Sequence, residues 1–328
     1  MVTNFLGILT YPPILEQVCT NLTFEEAVQL RSILRQKVLN CPIAIFDKNG
    51  QINSLPRVDD LTIQLYQHIK NAGSDQALIS ISTYGFTKMV EELLAAGANI
   101  NANNPVRWTP LIAASSNGHL EVVKLLLDQG ANIHAIDQDG EDSLMNAALR
   151  CHLEIVQLLL DRGANIYAIN RQQETTLMNA SLGGDLKIVR LLLDRGENIH
   201  AIDQYRETAL IKASRCGRFE IVKELLDREA DINAVTQNGD TSLIGASRNG
   251  RLEVVKELLD RGANINAVNH IRDTSLIVAS RTGRLEVVRH LLARGVDRTT
   301  VDWNGNTALD LAVSNNYQEI VSEFQKYQ

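Results

Sequence analysis

Six arginines stand at a fixed spacing in the C-terminal half of this 328-residue chain. Arg215, Arg248 and Arg281 form one series, and Arg218, Arg251 and Arg284, three residues later, form another. Each series advances by one period of 33 residues (248 − 215 = 33). A guanidinium is planar, permanently charged and carries its donors in a fixed fork, so it grips a carboxylate or a phosphate through two bonds. Two parallel rows of such forks would make a docking strip for an acidic or phosphorylated segment. A local reading competes with this one. Acids recur at the same period, as Glu141, Glu174, Glu207, Asp240 and Asp273, and could pair with the arginines on a solvated face.

Bond-making chemistry finds no such pattern. The sequence has no GxSxG, HExxH, phosphate loop or dinucleotide fingerprint. Cys151 and His152 are a thiol and an imidazole side by side, but adjacency in sequence does not aim one at the other. Cys19, Cys41, Cys151 and Cys216 lack CxxC spacing, so neither a zinc site nor a disulfide framework is implied. Asp47, Asn49 and Asn53 resemble the start of a calcium loop, but Gly50 stands at the fourth position where the sixth is needed, and no Glu closes it. The expectation is a non-enzyme with no cofactor and no metal. A net charge of −7 and the lack of interleaved aromatics argue against nucleic acid as a partner. No apolar run approaches a membrane span, and the N-terminus lacks a signal-peptide pattern. A cytoplasmic monomer is expected, in a host cytosol if the chain is a viral or bacterial effector.

The elements that must position the arginines are repeats. From Thr109 the same residue type returns at Thr175, Thr208, Thr241, Thr274 and Thr307, with Asp142 and Gln76 completing a gapless series of 33-residue steps. Two residues after each stands a leucine, from Leu78 to Leu309. Within a unit, Thr109 starts a helix that ends near Asn117-Gly118. A second helix, from about His119 to Asp128, carries Leu120, Val122, Val123, Leu125, Leu126 and Leu127 as its apolar stripe. Gly130 stops it, and Ala131 to Gly140 reads as an extended finger with a turn. Two short helices cannot bury such a stripe alone, so the units must stack.

These residues resemble the ankyrin repeat, with its Gly-x-Thr-Pro-Leu-His-x-Ala-Ala, Gly-His-x-Glu-Val-Val-x-x-Leu-Leu and Gly-Ala-x-x-Asn-Ala segments. The resemblance spans residues 76–328 as eight units. It implies an all-α repeat solenoid of helix-turn-helix-finger units whose fingers and first helices line a concave, protein-binding groove. Two departures stand out. The family's His after Leu is Ile112, Met145, Met178, Ile211, Ile244, Ile277 or Asp310, and Glu229 takes the place of Gly130. Fingers carry Val106, Trp108, Tyr205, Ile271 and Trp303, apolar anchors of the kind that dominate interface energetics. Packing between neighbouring fingers is the alternative for the two tryptophans.

Residues 1–57 read as a separate helical region, and residues 58–75 as a capping helix and linker. Pro12-Pro13 precedes one amphipathic helix, and Thr23 with Glu26 makes a capping box for a second. The string from Tyr11 to Gln36 is similar to an F-box, which implies docking to the adaptor subunit of a cullin-type ubiquitin ligase. A plain N-terminal helical cap over the first repeat is the other reading. The functional expectation is therefore a protein-interaction scaffold. Its alternative is a substrate-recognition adaptor of a ubiquitin ligase.

Overall fold

A computed structural model describes residues 74–327, and the chain divides into two compact units at Gln138/Asp139. The N-terminal helices, the F-box-like string and the capping helix expected before residue 74 lie outside the described residues.

The first unit contains α1 (Ser74–Tyr84), α2 (Thr87–Ala95), α3 (Pro110–Ser116) and α4 (Leu120–Asp128). Here α1 packs on α3, and α2 on α4. The second unit contains α5 (Ser143–Leu149), α6 (Leu153–Asp161), α7 (Thr176–Gly183), α8 (Leu186–Asp194), α9 (Ala209–Cys216) and α10 (Phe219–Asp227). It continues with α11 (Ser242–Arg248), α12 (Leu252–Asp260), α13 (Ser275–Arg281), α14 (Leu285–Ala293), α15 (Ala308–Ser314) and α16 (Gln318–Gln325). Its odd-numbered helices stack on one another in chain order to make one layer, and its even-numbered helices make a second.

From Thr109 onward the recurring marker residue is the N-cap of the first helix of the pair, whereas Gln76 lies inside α1. Thr109 Oγ1 accepts from the Ile112 amide at 3.2 Å, Asp142 Oδ1 from Met145 at 2.8 Å, and Thr274 Oγ1 from Ile277 at 3.2 Å. Such a cap contributes about 1 kcal/mol. Helices this short do not hold in isolation, so the stacked layers must supply the rest. Leu111, Leu144, Leu177, Leu210, Leu243 and Leu276 are all sealed in the core. Ile112, Met145, Met178, Ile211, Ile244 and Ile277, where the family has a polar His, are no more than 3% exposed. Each is therefore core, not the start of a polar cluster. Asp310 differs, because it closes a capping box with Thr307.

Turns take the left-handed backbone the spacing demands. Gly217 closes α9 with φ +77°, and Glu229 adopts φ +64° where the other units have glycine or its equivalent. The fingers contain no strand among the described residues, only isolated bridges such as Ile169 to Thr175 and Val235 to Thr241. Neighbouring fingers are joined by single backbone bonds, as from Gln204 N to Gln172 O at 2.8 Å and from Gln237 N to Tyr205 O at 2.7 Å. The architecture is an all-α repeat solenoid.

Candidate functional site

The two arginine rows, alike in sequence, differ in structure. Arg215, at the end of α9, pairs with Glu207. Arg248 grips Asp240 with both terminal nitrogens, at 2.6 and 3.1 Å. Arg281 reaches Asp273 at 2.6 Å and Asp302 of the next finger at 3.1 Å. The acids are those just before each N-cap, and Asp273 is 1% exposed. This row is neutralised within the fold, as the local reading of the sequence has it. Buried carboxylates held by guanidinium forks are costly to unpair.

Lys212, on α9, lies in the same seam and was not among the residues singled out from sequence. Its Nζ sits 2.7 Å from Asp203, 2.8 Å from Glu174 and 3.2 Å from Glu207. Burial works against its charge, but the bonds and attraction from Asp203 and Glu174 outweigh it and hold its pKa above the ordinary lysine value.

Arg218, Arg251 and Arg284 follow a different rule. All three are exposed, and none has a carboxylate partner among the described residues. Each lies over the turn of the preceding repeat. Arg218 Nε and Nη2 donate to Leu182 O at 3.2 and 3.0 Å, Arg251 Nε to Arg215 O at 3.4 Å, and Arg284 Nε to Arg248 O at 3.1 Å. Those carbonyls belong to helix C-termini, where acceptors are orphaned and a positive charge is favoured. The turn residue beneath is a glycine, in the left-handed backbone that favours it, and the arginine sits close above it. A methyl carbon at Gly184 would lie 2.7 Å from Arg218 Cζ, one at Gly217 2.7 Å from Arg251 Cδ, and one at Gly250 2.9 Å from Arg284 Cδ. Tyr317 sits over Gly283 in the same way, and in the first unit His119 sits over Gly85, its Nε2 2.8 Å from Thr83 O.

The finger residues also separate. Trp303 is 71% exposed, Tyr205 56% and Ile271 48%. Trp108 instead packs against Ile79, Ala102 and Ala113 in the first unit, so local packing accounts for it. A column of β-branched residues, Ile169, Ile202, Val235 and Val268, is exposed on successive fingers. Ile202 and Val235 flank a shallow cavity of about 280 Å³.

Two further features lay outside the sequence reading. Arg195 pairs with Asp161, Arg228 with Asp194, Arg261 with Asp227 and Arg294 with Asp260, each at 2.6 to 2.8 Å. The arginine that follows these second helices thus pairs with the aspartate ending the second helix of the preceding repeat. Glu197 is buried, its Oε2 without a hydrogen-bond partner in the described structure. Burial pushes its pKa up to about 7, against the lowering effect of bonds from Thr175 and Leu177.

Among the described residues no group of His, Cys, Asp and Glu could hold a metal ion, and no helix is long and apolar enough to cross a membrane. No curated protein matches the chain. A family model described as ankyrin repeats (3 copies) matches residues 76–170, 177–269 and 243–327. With capped first helices, stacked second helices and hydrogen-bonded fingers recurring through the same stretch, the chain belongs to the ankyrin-repeat family.

Proposed function

We propose that the chain is a non-enzymatic interaction module that binds a protein partner through residues 205–303, with Arg218, Arg251 and Arg284 engaging carboxylates or phosphates of that partner. Ankyrin repeats support a protein–protein interaction role. One observation carries the finer reading. In three successive repeats one arginine is tied up by an acid, while the arginine three residues on stays exposed and unneutralised. Charge-assisted bonds from an unneutralised guanidinium to an anion are a gain that the ion-paired row cannot offer. Exposed Tyr205, Ile271 and Trp303 would add apolar contact beside the charge.

The test uses fluorescein-labelled polyglutamate and fluorescence anisotropy. Changing Arg218, Arg251 and Arg284 together to Gln removes the charge but keeps an amide donor for the helix carbonyls. Affinity should fall at least tenfold, and the salt dependence should flatten. Unchanged affinity in that variant would remove the row from the site.

A second reading rests on the F-box-like string from Tyr11 to Gln36. It makes the repeats the substrate-choosing half of a ligase adaptor. Purified adaptor subunit of a cullin-type ligase should then bind the full chain and lose binding when Ile14 and Leu15 become Asp. Failure of the unaltered chain to bind it ends this reading.

A further inference from the structure

We infer that the occupant of this strip is an unfolded acidic segment of a partner protein whose anionic residues recur at every third position. The inference rests on the proposal that the second arginine row is the binding site, and it names what that site selects.

The row presents one guanidinium per repeat. The stem lies over a glycine, and Nε lies 3.1 to 3.4 Å from a carbonyl at the end of the preceding helix. Close by in sequence, Glu253 pairs with Lys256 at 2.8 Å and Glu286 with Arg289 at 2.7 Å, which leaves Arg251 and Arg284 without these acids. The spacing between forks is then that of packed helices, about 8 to 10 Å. A ligand that meets three forks at once must repeat its own anions at that distance on one face.

Polyproline-type chain does so every third residue, with three residues per turn and about 9 Å of advance. A β-strand covers the same length in three residues, but its third side chain points to the opposite face. An α-helix would need seven residues between acids for about 10 Å. Segments dense in acid lack the apolar content to fold, and they populate the polyproline conformation when free. The conformation that fits the row is therefore the one such a segment already visits.

The experiment measures anisotropy of labelled nine-residue peptides on the full chain. One carries Glu at positions 1, 4 and 7 among Pro and Gln, and a second carries the same three Glu side by side. A third has phosphoserine at 1, 4 and 7, and a nine-residue oligothymidylate supplies a non-peptide polyanion. The in-phase Glu peptide should bind at least tenfold tighter than its clustered isomer and lose that advantage in Arg251→Gln. Phosphoserine in phase should bind tighter still, which would make phosphorylation the source of the charge. An equal result would leave carboxylates as that source, and both support the inference. Arg107→Gln, at a finger turn outside residues 205–303, should leave the preference intact.

If clustered and in-phase peptides bind alike while polyglutamate binding still needs the row, the periodic occupant is wrong and the anionic strip survives. Loss of polyglutamate binding as well would overturn both. Tighter binding of the oligothymidylate than of any peptide would overturn the partner class.

Discussion

At the scale of single residues, position 197 exposes a conflict inside an otherwise uniform column. The units place Ala98, Ala131, Ala164, Ala230, Ala263 and Val296 there, and Glu197 alone brings a carboxyl into the same buried space. Burial raises its pKa to about 7 from 4.5. Between those pH values the unfolded chain ionises this group while the folded chain keeps it protonated. Its contribution is thus fully present below about 4.5 and is lost as pH rises through about 7, a fall of roughly 3 kcal/mol. Glu197→Ala should remove that fall. Urea midpoints measured at pH 5 and pH 8 should converge in the variant, with the gain concentrated at pH 8. Equal gains at both pH values would mean that Glu197 is charged in the fold. The sequence exposes the odd residue in its column, but only its packing says that the group is protonated.

At the scale of the helix and its turn, the two arginine rows part company for a geometric reason. Arg215 follows Glu207 by eight residues, a little over two helical turns, so its side chain can run back along α9 to the acid. Arg218 follows by eleven and stands beyond the end of α9, where the chain has reversed over Gly217. Spacing alone aligns both rows, and the reversal decides which can reach the acid. The marker threonines, the apolar stripe and the left-handed turns were legible from residue type because each obeys a local rule. The seat beneath each arginine was not, because it joins a glycine of one repeat to a side chain 34 residues on, as Gly217 to Arg251. Two glycine variants isolate that seat. Gly262→Ala has φ +88° with nothing within 4 Å, whereas Gly217→Ala has φ +77° and meets Arg251 Cδ at 2.7 Å. Both should lose about 1 to 2 kcal/mol of stability to backbone strain. Only Gly217→Ala should also weaken polyglutamate binding, severalfold, by displacing Arg251. Equal binding in the two would show that the seat does not hold the fork.

At the scale of the whole molecule, the contacts between repeats are interchangeable in type, and that makes the period itself testable. Removing residues 242–274 joins Thr241 to Ser275, the same Thr-Ser junction that Thr274 already makes. Every lost neighbour then has a substitute of the same kind. Arg294 would meet Asp227 in place of Asp260, and Arg281 would meet Asp240 in place of Asp273. Asp297 N would find Asn233 Oδ1 in place of Asn266 Oδ1, and Arg284 would lie over Gly217 in place of Gly250. Because repeat stability is a sum of intrinsic and nearest-neighbour terms, the shortened chain should keep its helix content by circular dichroism and one cooperative urea transition, with a lower midpoint. Removing residues 242–277 instead strips Ser275, Leu276 and Ile277 from α13, two of them core side chains. The helix would lose its first turn and its buried pair, so ellipticity should drop and the transition should broaden. The in-phase deletion also cuts the exposed arginine row from three forks to two. If each fork contributes through its own anion, polyglutamate affinity should fall about tenfold, the weight of a single charge-assisted pair of about 1.4 kcal/mol. An in-phase deletion that folds but binds as the full chain does would mean that the forks do not act as a row.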